Sequence, residues 1–145
     1  MEDKLEVGLQ YQDFITLKLY SMGWSLNQFS SLKYQVEYGE NIAGIEIKND
    51  LQMQKTHNIY IELYEKANTG NFVFSGINRQ DNTILWLIGD YNVAYVFVKK
   101  QLKYLCDNYQ KYGFKKVETE TSIGILIPVS FFNKHELFVV KKLEF

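Results

Sequence analysis

The chain has 145 residues and a formal net charge of −1, with 46% hydrophobic, 23% charged and 16% aromatic residues. That length suits one domain with a real core and is too short for two comfortable ones, so residues 1–145 are read as a single domain. One proline and nine glycines exclude a long disordered linker, and the single cysteine, Cys106, excludes both an intramolecular disulfide and a cysteine-rich zinc site.

Residues 4–22 predict a helix: Leu5, Leu9, Ile15, Leu19 and Met22 roughly keep helical spacing, and Gly23 is placed to end it. The acidic start, Met1 to Glu6, has no apolar stretch like that of a secretion leader, which makes the cytoplasm the expected compartment. Residues 33–38 predict a strand, and residues 39–41 a turn. Two further strands are predicted at 44–50 and 59–66, separated by a polar loop. Residues 72–77 read as a short extended piece. Residues 84–88 and 93–98 are dense, apolar and β-rich, and Gly89-Asp90 between them suits a hairpin turn. A second helix is predicted over 99–112, with Leu102, Leu105 and Cys106 on one side and Gly113 as its stop. A strand at 123–127, a short helix entered through Pro128 and a strand at 137–143 complete the chain. The apolar run at 123–132 is too short to span a membrane and is broken by Pro128 and Ser130, so no membrane partner is expected. The order of elements is that of an α+β (mixed α/β) fold around one sheet.

The strands at 44–50 and 59–66 carry the chemistry. Side chains on a strand share a face at every second residue, so Glu46, Lys48 and Asp50 lie on one face of the first. Tyr60, Glu62, Tyr64 and Lys66 lie on one face of the second. If the two strands pair, three acids and two lysines gather on one patch. Like charges so close call for a cation, and magnesium takes carboxylate oxygens together with water and substrate phosphate. The plain alternative is a solvated sheet face laced with cross-strand ion pairs. Tyr60 and Tyr64 then read as half-buried strand residues, His57 and His135 as surface residues, and Trp24 and Trp86 as core anchors.

A leading helix followed by three strands, with an acid on the second and third, resembles the PD-(D/E)XK nuclease superfamily. Gly44-Ile45-Glu46 is similar to that family's first acidic motif, and Ile61-Glu62-Leu63-Tyr64 to its Glu-x-Lys motif, with Tyr64 where the family has lysine. Gln12 stands where many members have a helix glutamate, with Asp13 or Glu6 as substitutes. The stretch from Gly39 to Lys66 also resembles small uncharacterised proteins of phage and bacterial mobile elements. The resemblance implies a restriction-endonuclease-like domain: a helix, a three-stranded antiparallel meander, a β-hairpin, a second helix and a further strand. It implies hydrolysis of DNA phosphodiester bonds, with Glu46, Glu62 and Asp50 holding Mg2+ or Mn2+ and Lys48 or Lys66 assisting the attacking water. DNA would be met by Lys99, Lys100 and Lys103, and by the pairs Lys115-Lys116 and Lys141-Lys142, although the near-neutral net charge argues mildly against that partner. Two other readings stand beside this one. The first is a non-catalytic protein of the same fold that binds a protein or a nucleic acid. The second is a homodimer or larger homo-oligomer assembled through the apolar hairpin at 84–98.

Overall fold

Asp3 begins the first helix: its carboxylate accepts the Leu5 N–H at 3.1 Å, satisfying one of the donors that a first turn leaves open. The computed structural model describes residues 3–24 and 44–145. Helix α1 spans Lys4–Ser21, and Gly23 follows its end at φ +90°. Its buried stripe is Tyr11, Gln12, Ile15 and Leu19, whereas Leu5, Leu9 and Met22 are exposed. Tyr11 determines which side faces inward, because its hydroxyl donates to the Asp90 carbonyl at 3.0 Å. The strand expected at 33–38 lies outside the described residues.

Among the described residues eight strands follow: β1 (Ile45–Asn49), β2 (Asn58–Lys66), β3 (Phe72–Phe74), β4 (Leu85–Gly89), β5 (Val93–Val98), β6 (Lys115–Glu118), β7 (Ser122–Pro128) and β8 (Lys141–Glu144). Four short helices lie between them, α2 (Met53–Thr56), α3 (Lys99–Asp107), α4 (Tyr109–Tyr112) and α5 (Val129–Lys134). The fold is α+β, as expected, but it has two four-stranded sheets rather than one. The first has the order β1-β4-β5-β8 and the second β3-β2-β7-β6.

The predicted pairing of the strands at 44–50 and 59–66 is therefore corrected. β1 runs parallel to β4, with Ile45 opposite Leu85 and Glu46 opposite Trp86. β2 runs antiparallel to β7 and β3, so no antiparallel meander joins β1 to β2. The reason lies in β4 and β5, which are apolar on both faces and need cover on both sides. On one side α1 packs over Ile45, Ile47, Leu87, Ala94, Val96 and Leu143. On the other, Trp86, Ile88, Tyr95 and Phe97 share a core with Ile59, Ile61, Ile125 and Ile127 of the second sheet. Helices α3 and α5 close that core through Leu102, Leu105, Cys106 and Phe132.

Smaller departures have local causes. The helix expected over 99–112 breaks at Asn108 into α3 and α4, and Gly113 ends it at φ +73°. The loop at 51–58 contains the single turn α2, which drops Met53 into the core. The final strand begins at Lys141, because residues 136–138 form a 3-10 turn instead. Lys115–Glu118, read only as part of a basic pair, is the edge strand β6. The hairpin at 84–98 is buried from Trp86 to Asp90 and from Ala94 to Phe97, so it offers no broad apolar face for a second copy.

Candidate functional site

Glu46 is the least ordinary residue of β1, being a carboxylate only 2% exposed inside a sheet. A buried charge needs partners. One of its oxygens, Oε1, meets Lys48 Nζ at 2.6 Å and the Arg79 guanidinium at 3.9 Å. Its other oxygen, Oε2, is buried with no hydrogen-bond partner. From Arg79 the charges continue to alternate: Arg79 reaches Asp81 at 3.3 Å, and Asp81 reaches Lys99 at 3.1 Å. Lys99 Nζ also donates to the Arg79 carbonyl at 2.6 Å. Burial pushes the Asp81 carboxyl up, but the Thr83 hydrogen bonds and Lys99 outweigh it, and the group sits below the ordinary aspartate range.

Glu62 lies on β2, beside a slip of register against β7 between Glu62 and Tyr64. Its Oε1 accepts the Ser75 hydroxyl at 2.6 Å. The 3-10 turn at Gly76–Asn78 presses on the same strand so closely that a Cβ on Gly76, at φ +51°, would lie 2.2 Å from the Glu62 carbonyl. Asp50 closes the other end. Its Oδ1 accepts the Gln52 N–H at 3.0 Å and its Oδ2 accepts the Tyr60 N–H at 2.9 Å, so its carboxylate ties β1 to β2.

These elements enclose an open cleft of about 580 Å3, a volume typical of small-molecule sites. Lys48, Asn49, Tyr60, Glu62, Trp86 and Ser122 line it, with Ile88 and Leu126 among its apolar walls. The Tyr60 ring lies against Gly124, where a Cβ would stand 2.4 Å from the ring, and its hydroxyl meets Ser122 Oγ at 2.7 Å. Burial raises the phenol pKa, Glu62 adds to the rise and the Ser122 bond offsets part of it, so Tyr60 stays protonated. Trp86 is 2% exposed, and its indole Nε1–H has no partner. The Lys48 ammonium stands 5.9 Å from the centre of its ring.

The predicted site residues are thus only partly gathered. Lys48, Asp50 and Glu62 line one cleft, and Glu46 adjoins it through its ion pair with Lys48. Lys66 is elsewhere, with its ammonium 6.0 Å from the centre of the Phe72 ring. Asp50, expected as a metal ligand, has both oxygens engaged by backbone N–H groups. Among the described residues no group of three or more His, Cys, Asp or Glu converges as a metal site would require. Among the site acids, Glu46 keeps one carboxylate oxygen without a hydrogen-bond partner.

Of the lysines expected to meet DNA, Lys99 is only 12% exposed and bound to Asp81, and Lys103 pairs with Asp107 at 2.9 Å. Lys100 is exposed. Trp86, Arg79, Ser75 and Gly124 had been given no functional part by sequence reasoning. Of these only Gly124 carried a signal, since a glycine inside an apolar strand often marks a close approach by another group. No helix among the described residues is long and apolar enough to cross a membrane. Comparison with protein-family models, with curated proteins and with solved structures gives no match.

Proposed function

We propose that the protein is a non-catalytic binding module that takes a small organic ligand into the cleft between its two sheets. The observation that carries this reading is a set of unmet polar atoms beside an open cavity: the Trp86 indole N–H and both amide atoms of Asn49 are buried without a hydrogen-bond partner. A buried donor left unmet costs about 1–3 kcal/mol, and a ligand acceptor would remove that cost. Three other polar groups of the cleft are held in place by partners of their own: Glu62 by Ser75, Tyr60 by Ser122 and Lys48 by Glu46. Such preorganisation favours binding, because fewer rotamers are lost when the ligand arrives. No histidine or cysteine is among the described residues lining the cleft, which leaves the commonest general base and the strongest nucleophile absent from its walls.

The test is a fragment screen read by two signals, thermal stability and the emission of Trp86 in a Trp24→Phe background. Compounds that raise the melting temperature are expected to change Trp86 emission as well. A broad library that moves neither signal would overturn the reading.

A second reading, favoured by the unpartnered Glu46 Oε2, is the metal-dependent DNA endonuclease of a phage or mobile element, with a restriction-endonuclease-like core. Glu46 and Glu62 would then hold Mg2+ or Mn2+, which when bound activates water toward a phosphodiester. Lys48 would neutralise phosphate charge from its place beside Glu46, and Lys100 would meet the backbone of the DNA. On this reading magnesium at millimolar concentration raises the melting temperature, and cleavage of supercoiled or branched DNA disappears in Glu62→Ala. A folded protein that shows neither response to either metal would remove it.

A further inference from the structure

Resting on the cleft reading above, we infer that the ligand is a neutral sugar, recognised through its hydroxyl groups by Asn49 and Trp86. Both residues line the cleft, and each carries buried polar atoms without a hydrogen-bond partner. The Asn49 carboxamide leaves a donor, Nδ2, and an acceptor, Oδ1, unmet side by side. Two neighbouring hydroxyls complete it, one accepting from Nδ2 and the next donating to Oδ1. Trp86 Nε1–H is a second unmet donor, and Glu46, its register partner on β1, holds an unmet acceptor at Oε2. Lys48 links the two on one face of the sheet, its ammonium 2.6 Å from Glu46 Oε1 and 5.9 Å from the centre of the Trp86 ring. A hydroxyl suits such a pair, because it accepts from one group and donates to the other.

Direction decides against a planar ligand. Side chains alternate along β1, so Glu46 and Lys48 leave one face, and Asn49 the other, which Ile45 and Ile47 share beneath α1. The unmet groups therefore approach the cleft from two sides of one strand. The hydroxyls of a sugar radiate around its ring, whereas a nucleobase, uracil included, carries its donors and acceptors along edges in one plane. Charge decides against an anion, since Lys4 and Lys48 on the walls are balanced by Asp50 and Glu62. A lipid chain would leave Asn49 and Trp86 unmet. The rest of the lining suits the mixed surface of a sugar. Gln52, Asn58, Thr119 and Ser122 offer carboxamides and hydroxyls, which donate and accept alike. Tyr60, seated on Gly124 and held by Ser122, offers a ring to the C–H face of a pyranose, with Leu126 alongside. The sugar has two sources, a free monosaccharide or the end unit of a glycan, and its hydroxyls are the same in both.

The experiment titrates the full chain with glucose, galactose, mannose, xylose and oligosaccharides of each, following heat by calorimetry and Trp86 emission in the Trp24→Phe background. Uracil, cytosine and glucose phosphate represent the competing classes. The expected result is saturable binding of at least one neutral sugar, weakened in deoxy analogues that lack one of the hydroxyls bound. Asn49→Ala should weaken that binding roughly 5- to 150-fold, the worth of two neutral hydrogen bonds. The same variant should keep or raise the melting temperature of the free protein, because it removes an amide that is buried and unmet. Trp86→Phe, followed by calorimetry alone, should weaken binding roughly 2- to 12-fold with its circular dichroism unchanged. An oligosaccharide that binds more tightly than its monosaccharide would place the sugar in a glycan, and equal affinity would place it as a free monosaccharide. Uracil or cytosine binding more tightly than every sugar would overturn the inference, and so would glucose phosphate binding more tightly than glucose. A clear fall in the melting temperature of Asn49→Ala would overturn the part given to that amide. Absence of sugar binding, with other fragments still occupying the cleft, would overturn this inference and leave the cleft reading standing. Absence of any ligand would overturn both.

Discussion

Asp81 shows how one residue stabilises a site it does not line. It stands between Arg79 and Lys99 and accepts the Thr83 N–H at 2.9 Å, and these partners hold its carboxyl below the ordinary range. A carboxyl whose folded pKa is depressed contributes its full stability above the unfolded value. That contribution is lost as the pH falls through the lower, folded value. Urea midpoints measured from neutral pH downward should therefore fall through the acid range, and Asp81→Asn should flatten that limb while lowering the neutral plateau. An unchanged acid limb in the variant would show that other carboxylates carry it. Cys106 illustrates the opposite case: burial pushes its thiol up to about 12, which fits the small apolar residue expected in a helix.

At the scale of elements, the decisive connection is the one from β1 to β2. Asp50 tethers the start of β2 to the end of β1 through the Tyr60 N–H, and it also bonds the Gln52 N–H in the turn between them. Asp50→Ala leaves two backbone donors without their acceptor, so a loss of about 1–3 kcal/mol is expected in urea denaturation. Asp50→Asn, which keeps one acceptor oxygen, should recover part of it. The sequence made much of these elements legible. Period-two alternation located β1 and β2, dense apolar β-rich runs located β4 and β5, and the Gly89-Asp90 turn joined β4 to β5 as expected. Alternation assigns faces, however, and not neighbours. Ile59 and Ile61 announced a buried face, but nothing in them named Ile125 and Ile127 as the strand alongside. β6 escaped for another reason: it is an edge strand whose lysines and glutamate are exposed, so it lacks the alternation that marks a half-buried strand.

On the scale of the whole molecule, the site was legible in its residues and not in its arrangement. Glu46, Lys48, Asp50 and Glu62 do fall in one neighbourhood, yet through the meeting of two sheets rather than the pairing of two strands. The acids consequently face different partners. Glu46 is neutralised by Lys48, Glu62 is fixed by Ser75 and Asp50 serves the backbone. Trp86 could be read as a core anchor from composition, and it is one. Its unmet N–H is a property of position, visible only when β1, β4 and the second sheet are seen together.

The parallel pairing of β1 with β4 also governs the order of events during synthesis. Ile45 must wait for Leu85, Ile59 for Ile127 and Val93 for Glu144, so the second sheet is incomplete until β7 has left the ribosome and the first until β8 has. Contacts this distant along the chain make for slow folding, and they leave the edges of early strands open in the meantime. The cleft takes its walls from β1, β2, β4 and β7, and a nascent chain halted before β7 has no cleft to fill. The cleft is thus a feature this stretch of chain can form only once β7 has been made.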